Sequence, residues 1–231
     1  MKQKWIEKAL DIARNGDIKG AYLLQKKLKK YISLNDKDDN YIKIAGVDIS
    51  YTSDRSYCSV VVIDRFSMNI VERSFTEMEV SFPYVPGLLF FREFPIFFKC
   101  FQCLSKKPDL IIFDGHGLSH QRMMGIATMA GILLNIPTIG CAKSYLYGEY
   151  NPPDLKKFSR SELRVNNLLV GYVFRSKERV KPIFVSTGYK ISPEMALKIV
   201  ASLVLNNKLP LPTHLAHKFS EEYKELHRIR R

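Results

Sequence analysis

The chain has 231 residues, 46% of them apolar, and Lys plus Arg exceed Asp plus Glu by 36 to 23, a formal net charge of +13. This is enough apolar content for one domain with a sizeable core, residues 1–231, and the charge makes a polyanion the first partner to consider. No apolar run reaches the roughly 18 residues of a membrane span, neither GxxxxGK[ST] nor GxGxxG occurs, and four cysteines in apolar settings without a leader predict buried, reduced thiols and a cytoplasmic location.

In chain order, residues 1–40 read as helical. Trp5, Ala9, Ile12 and Ala13 form one stripe, which Ala21, Leu24 and Leu28 continue past a break at 16–20, before a polar loop at 35–40. Residues 42–49, 56–63 and 70–80 are β-rich runs with short polar links, the pattern of a three-stranded antiparallel meander. An apolar helical stretch covers 88–104, where Pro95 is expected to end one helix and start another. Cys100 and Cys103 form a C-x-x-C within it, but no second pair completes a zinc site. Residues 110–113 (LIIF) suit a strand buried on both faces, followed by a helix at 122–134 and a strand at 138–141. Strands at 168–174 and 183–186, a helix at 193–206 and a basic final helix from Ser220 complete the chain. A meander followed by β-α units predicts an α/β fold with a mixed sheet and helices on both faces.

Three carboxylates stand where structure alone would not put them. Asp48 interrupts an apolar strand, Glu93 precedes Pro95, and Asp114 ends a buried strand in the string DGHGLSH. A buried carboxylate is costly unless a cation satisfies it, and two aspartates on adjacent strands would need a proton or a metal. Oxygen ligands from Asp and Glu suit Mg²⁺ or Mn²⁺ rather than zinc. With the basic charge and the mixed sheet, these residues suggest an RNase H-like nuclease. His120, six residues after Asp114 across a glycine-rich turn, is the candidate to order water or protonate a leaving group.

Segments 44–51 (IAGVDISY), 83–93 (PYVPGLLFFRE), 114–122 (DGHGLSHQR), 136–143 (IPTIGCAK), 186–192 (STGYKIS) and 211–217 (LPTHLAH) resemble, in order, the motifs of the endonuclease V family. The resemblance runs from about Leu24 to His217. It implies an RNase H-like fold and a Mg²⁺-dependent cut, with Mn²⁺ substituting, at the second phosphodiester 3′ to a hypoxanthine in DNA. The products would carry 3′-hydroxyl and 5′-phosphate ends. It further implies that Asp48 and Asp114 ligate the metal directly, that Glu93 completes the acidic cluster, and that His120 stands close to the reacting phosphate. Pro83, Tyr84, Val85, Pro86 and Gly87 would form a strand-separating wedge, and Leu89 and Arg92 would also bind the substrate. Gly115, Gly125 and Leu146 would shape the pocket for a flipped base, and Lys143 would sit near the phosphates. Three positions depart from the family pattern: Val85 where Ile is usual, Gln121 where Pro is common, and Tyr189 where His is common.

The expected partner is deoxyinosine-containing DNA, bound by a monomer. Inosine-containing RNA is an alternative, since a contact to the 2′-hydroxyl is not legible in the sequence. A broader structure-selective nuclease and a non-catalytic nucleic-acid-binding module are the remaining readings. Lys26, Lys27, Lys29 and Lys30, and the tail Arg228, Arg230 and Arg231, are candidate phosphate contacts.

Overall fold

The computed structural model describes residues 2–36 and 40–229. The centre of the expected polar loop, Arg230, Arg231 and the Arg228 side chain lie outside the described residues.

Two amphipathic helices open the chain, α1 (Lys2–Asn15) and α2 (Ile18–Leu28). Gly16, with φ of +63°, stops the first, and the Asp17 side chain starts the second by accepting the Gly20 amide. The predicted meander is β1 (Lys43–Tyr51), β2 (Arg55–Asp64) and β3 (Ile70–Glu79), paired antiparallel throughout. After α3 (Leu89–Gln102) come β4 (Leu110–Phe113), α4 (Ile126–Leu134) and β5 (Thr138–Ala142). A second antiparallel group follows: β6 (Arg160–Val165), β7 (Leu168–Phe174) and β8 (Ile183–Tyr189). Helices α5 (Pro193–Ser202) and α6 (Leu211–Ile229) close the chain. All eight strands form one sheet in the order β3-β2-β1-β4-β5-β8-β7-β6, with β4 parallel to both its neighbours. Side chains of α1 to α4 pack with Ala45, Val47 and Phe113 on one face, and those of α5 and α6 with Ile44 and Ile112 on the other. The mixed sheet with helices on both faces is therefore as the sequence predicts.

Three local expectations are corrected, and one strand is added. Pro95 does not break α3. It costs one backbone hydrogen bond, but Phe90, Phe91, Phe94, Phe97 and Phe101 are all buried, and Phe90 stacks on Phe94 at 4.6 Å while Phe97 meets Phe113 at 4.9 Å. That burial holds both halves on one axis. Strand β6 had no forecast because Arg160, Glu162 and Arg164 dilute its apolar signal; it is a charged edge strand. Its hairpin to β7 turns through Asn166 and Asn167, both at positive φ, a geometry that matches strand twist. Helix α6 starts at Leu211 rather than Ser220, because Pro212 falls in the first helical turn, where a missing N–H is harmless. Finally, Cys58, Cys100 and Cys141 are buried as expected, but Cys103 is exposed at the end of α3. Among the described residues, no helix is long and apolar enough to cross a membrane.

The packing of α6 on β1 is unusually close. A Cβ at Gly46 would collide with the Pro212 carbonyl and the Thr213 amide. Gly46→Ala is therefore expected to lower stability by about 1–3 kcal/mol and to push α6 outward. An unchanged melting temperature would show that the helix can shift at no cost.

Candidate active site

The carboxyl ends of β1 and β4 build the acidic centre. Val47 pairs with Phe113, and the Asp114 amide extends the ladder to the Val47 carbonyl at 3.0 Å. Asp48 and Asp114 thus occupy the same rung of adjacent parallel strands, on the face covered by α6. That helix supplies Ser220, whose hydroxyl donates to Asp48 Oδ2, and His217, whose Nδ1 lies 3.3 Å from the same oxygen. Asp48, Asp114 and His217 each offer a ligand atom within 4.8 Å of the others. Lys143, from the end of β5, places Nζ 2.6 Å from Asp114 Oδ2. Burial pushes the Asp114 carboxyl above the usual carboxylate range, Lys143 opposes this, and Asp48 reinforces it. Two converging carboxylates with an imidazole and incomplete compensation suit a divalent cation such as Mg²⁺ or Mn²⁺.

His217 is the residue that carboxylate spacing alone did not reveal. With the last helix expected from Ser220, His217 fell outside it, whereas on α6 the His217–Ser220 spacing of one turn points both side chains at Asp48. The donor set therefore includes a nitrogen as well as oxygens.

Glu93 comes from α3 on the opposite face and does not join that group of ligand atoms. It accepts a hydrogen bond from Tyr51 Oη at 3.1 Å. Burial pushes its carboxyl up to about 8, and Asp48 and Asp114 add to the rise against the Tyr51 bond and Arg92. Arg92 itself donates to the Phe82 carbonyl at 2.9 Å and lies over the Tyr51 ring, so it braces the chain just before Pro83.

Beside this centre is a cavity of about 230 Å³, small against the roughly 300–1,000 Å³ of ordinary ligand pockets. Gly115, Gly125, Leu89 and Leu146 line it, with Val85 and Pro86 of the 83–87 loop at its rim. Tyr84 in this loop is 71% exposed, so most of its ring is turned to solvent rather than packed over α3. The loop is rigidly based. Gly87, at φ of +79°, turns its carbonyl inward to Gln25 Nε2 at 3.0 Å, Arg122 Nη2 at 2.7 Å and His120 Nε2 at 3.1 Å. Arg122 also bonds Gln25 at 2.6 Å, closing the network.

His120 belongs to this network. Its Nδ1 accepts from the Arg122 and Met124 amides, which leaves the proton on Nε2 to donate to Gly87. Burial, then Arg122, lowers its pKa to about 4. With both ring nitrogens committed, His120 anchors the loop and is not one of the ligand atoms that converge with Asp48 and Asp114. Tyr189 is buried at the end of β8, where its hydroxyl donates to Asn135 Oδ1 at 3.3 Å, and Gln121 is exposed.

The Endonuclease V family model matches residues 26–218. The chain belongs to the endonuclease V family. Endonuclease V of Thermosipho melanesiensis is 41% identical over 202 residues, covering 87% of this chain and 89% of that protein. Endonuclease V of Dehalococcoides mccartyi strain BAV1 is 43% identical over 204 residues, covering 87% and 92%. Among solved structures, endonuclease V of Bacillus subtilis superposes with a TM-score of 0.89 at 29% identity, covering 95% of this chain and 98% of that one. Ciona intestinalis endonuclease V, solved with a 24mer DNA containing an inosine followed by a ribo-adenosine, gives 0.78 at 28% identity, covering 90% and 97%. The fold is accordingly RNase H-like, and an endonuclease V assignment makes the chain a DNA-binding nuclease with a plausible metal centre at Asp48, Asp114 and His217.

Proposed function

We propose that this endonuclease V cuts DNA at the second phosphodiester 3′ to a hypoxanthine, leaving 3′-hydroxyl and 5′-phosphate ends, as a step in repair of deaminated adenine. The observation that carries this reading is the Asp48–Asp114–His217 group standing beside a small glycine-lined pocket whose rim is a stiff, exposed loop. Hypoxanthine presents an acceptor at C6 and an N1–H donor, where adenine presents the reverse, and that edge can be read only after the base leaves the stack. Gly115 and Gly125 line that pocket, and their missing side chains let Ile126 and the 116–117 backbone close tightly behind its wall.

Asp48, Asp114 and His217 would hold Mg²⁺, with Mn²⁺ substituting, and Glu93 would support the centre from behind. A bound divalent cation supplies activated water and charge neutralisation at the phosphate. The chain's own residues do the rest. Ser220 and His217 fix the orientation of Asp48, and Lys143, paired with Asp114 until the site is loaded, is placed to turn to a phosphate oxygen. The Gly87 network keeps the wedge from collapsing when strands are parted.

The wedge assignment carries its own test. Tyr84→Ala is expected to lose roughly tenfold or more on duplex DNA, where base stacking must be broken, and much less on single-stranded inosine substrate. Because the ring is exposed, the melting temperature should stay put. Equal losses on both substrates would remove Tyr84 from strand separation.

RNA remains the second reading, because the Ciona relative was captured on a strand with a ribonucleotide next to inosine. The deciding experiment incubates the purified protein with matched inosine-containing DNA and RNA and unmodified controls, with Mg²⁺ or chelator. Cleavage confined to inosine-DNA with Mg²⁺, mapped to the phosphodiester directly 3′ of the lesion's 3′ neighbour, is the expected result. Cutting of unmodified strands at equal rate would overturn lesion recognition.

A further inference from the structure

A second exposed tyrosine shares the lining of this pocket with Tyr84. Tyr145 lines the cavity yet is 50% exposed. It is not a loose surface ring. Its hydroxyl donates to the Gly148 carbonyl at 2.8 Å, and its ring packs on Tyr150 at 5.7 Å and on buried Phe184 at 5.9 Å. Tyr150 meets Phe184 edge-on at 5.4 Å, and the loop is held from below by the Ser119 hydroxyl on the Tyr147 carbonyl at 2.6 Å. The chain therefore fixes an aromatic ring that its described residues leave half exposed to solvent.

Its position says what would cover it. The 143–146 segment leads from Lys143, at Asp114, to Leu146, at the pocket, and Tyr145 stands between them. If the flipped base fills the pocket and the second phosphodiester 3′ lies at Asp114, one nucleotide spans the gap. We propose that Tyr145, backed by Tyr150 and Phe184, is a positioning residue that stacks on the base immediately 3′ to the lesion and so sets the distance from lesion to cut. The proposal rests on the lesion-recognition reading above. Aromatic stacking on a base is sequence-tolerant, so the platform would hold whichever base follows the lesion.

The test is a double-mutant cycle between protein and DNA, read as affinity for single-stranded oligonucleotides in chelator, where no cutting occurs. Tyr145→Ala, and an abasic unit 3′ to inosine with wild-type protein, are each expected to weaken binding roughly tenfold. Combined, they should still cost roughly tenfold, because each removes the same stack. Tyr145→Phe, which keeps the ring, should bind within about twofold of wild type and so report that the loop is intact. Losses that multiply to about a hundredfold, or coupling to an abasic unit on the 5′ side instead, would overturn the proposal. An arm with adenine in place of inosine separates the two ideas: equal affinity for both strands defeats lesion recognition, whereas the coupling at the 3′ neighbour is read independently of it.

Discussion

Replacing Asp48 or Asp114 with Asn is expected to lower the cleavage rate by about a thousandfold or more in Mg²⁺ while leaving affinity for inosine-containing DNA within a few-fold. Both side chains offer oxygens to one point, with His217 completing the group. Exchanging either carboxylate for an amide removes half of the negative charge that would hold a divalent cation, and loss of metal chemistry is worth several kcal/mol of barrier. Binding is expected to draw instead on cationic surface, including the exposed Lys26, Lys27, Lys29 and Lys30. Stability should not suffer. Burial and the Asp48 charge already hold the Asp114 carboxyl above its usual range, so an amide at either position relieves repulsion. Single-turnover cleavage, filter binding in chelator and a melting curve together check the three parts. Near-normal cutting by either variant would remove the aspartates from the metal centre, and a large loss of binding would make their role structural.

Glu93 provides the second large effect, on stability as a function of pH. Its carboxyl is raised from 4.5 to about 8, chiefly by burial. A raised pKa means that the folded, metal-free protein keeps a proton that the unfolded chain releases. The stability this proton confers is complete below pH 4.5 and is lost as pH rises through about 8. The metal-free protein is expected to lose up to a few kcal/mol across that window. Glu93→Gln should flatten the profile and melt higher than wild type at pH 8 in chelator. The same variant should cut roughly a hundredfold more slowly with Mg²⁺, since a neutral amide cannot support the centre. Mg²⁺ should stabilise the wild type more at pH 8 than at pH 6, because a cation near Asp48 and Asp114 favours the charged form of Glu93. Parallel pH profiles for wild type and Glu93→Gln would show that another group controls the transition.

Much of the molecule was legible because its signals are local. The β-branched runs fixed the meander, the wholly apolar Leu110–Phe113 segment marked a strand buried on both faces, and Asp48 and Asp114 stood out as charges inside apolar context. The proline-flanked Tyr84 likewise announced a projecting loop, and the tip is exposed. The sequence by itself also carried the family, since its motifs are contiguous strings in a set order.

What only tertiary structure decided are partnerships across long stretches of chain. His217 reaches Asp48 over 169 residues because α6 lies against β1 at Gly46, and no periodicity in either segment encodes that contact. His120 was read from its nearness to Asp114 in sequence, yet the turn directs it to Gly87, 33 residues back, where three donors compete for one carbonyl. Pro95 breaks an isolated helix by removing a hydrogen bond, but here aromatic burial on both sides outweighs that loss. Strand β6 exists because β7 offers it an edge, a long-range pairing that its charged residues conceal. Local propensity scores each segment against water, whereas these outcomes depend on the surface that the rest of the chain presents to it.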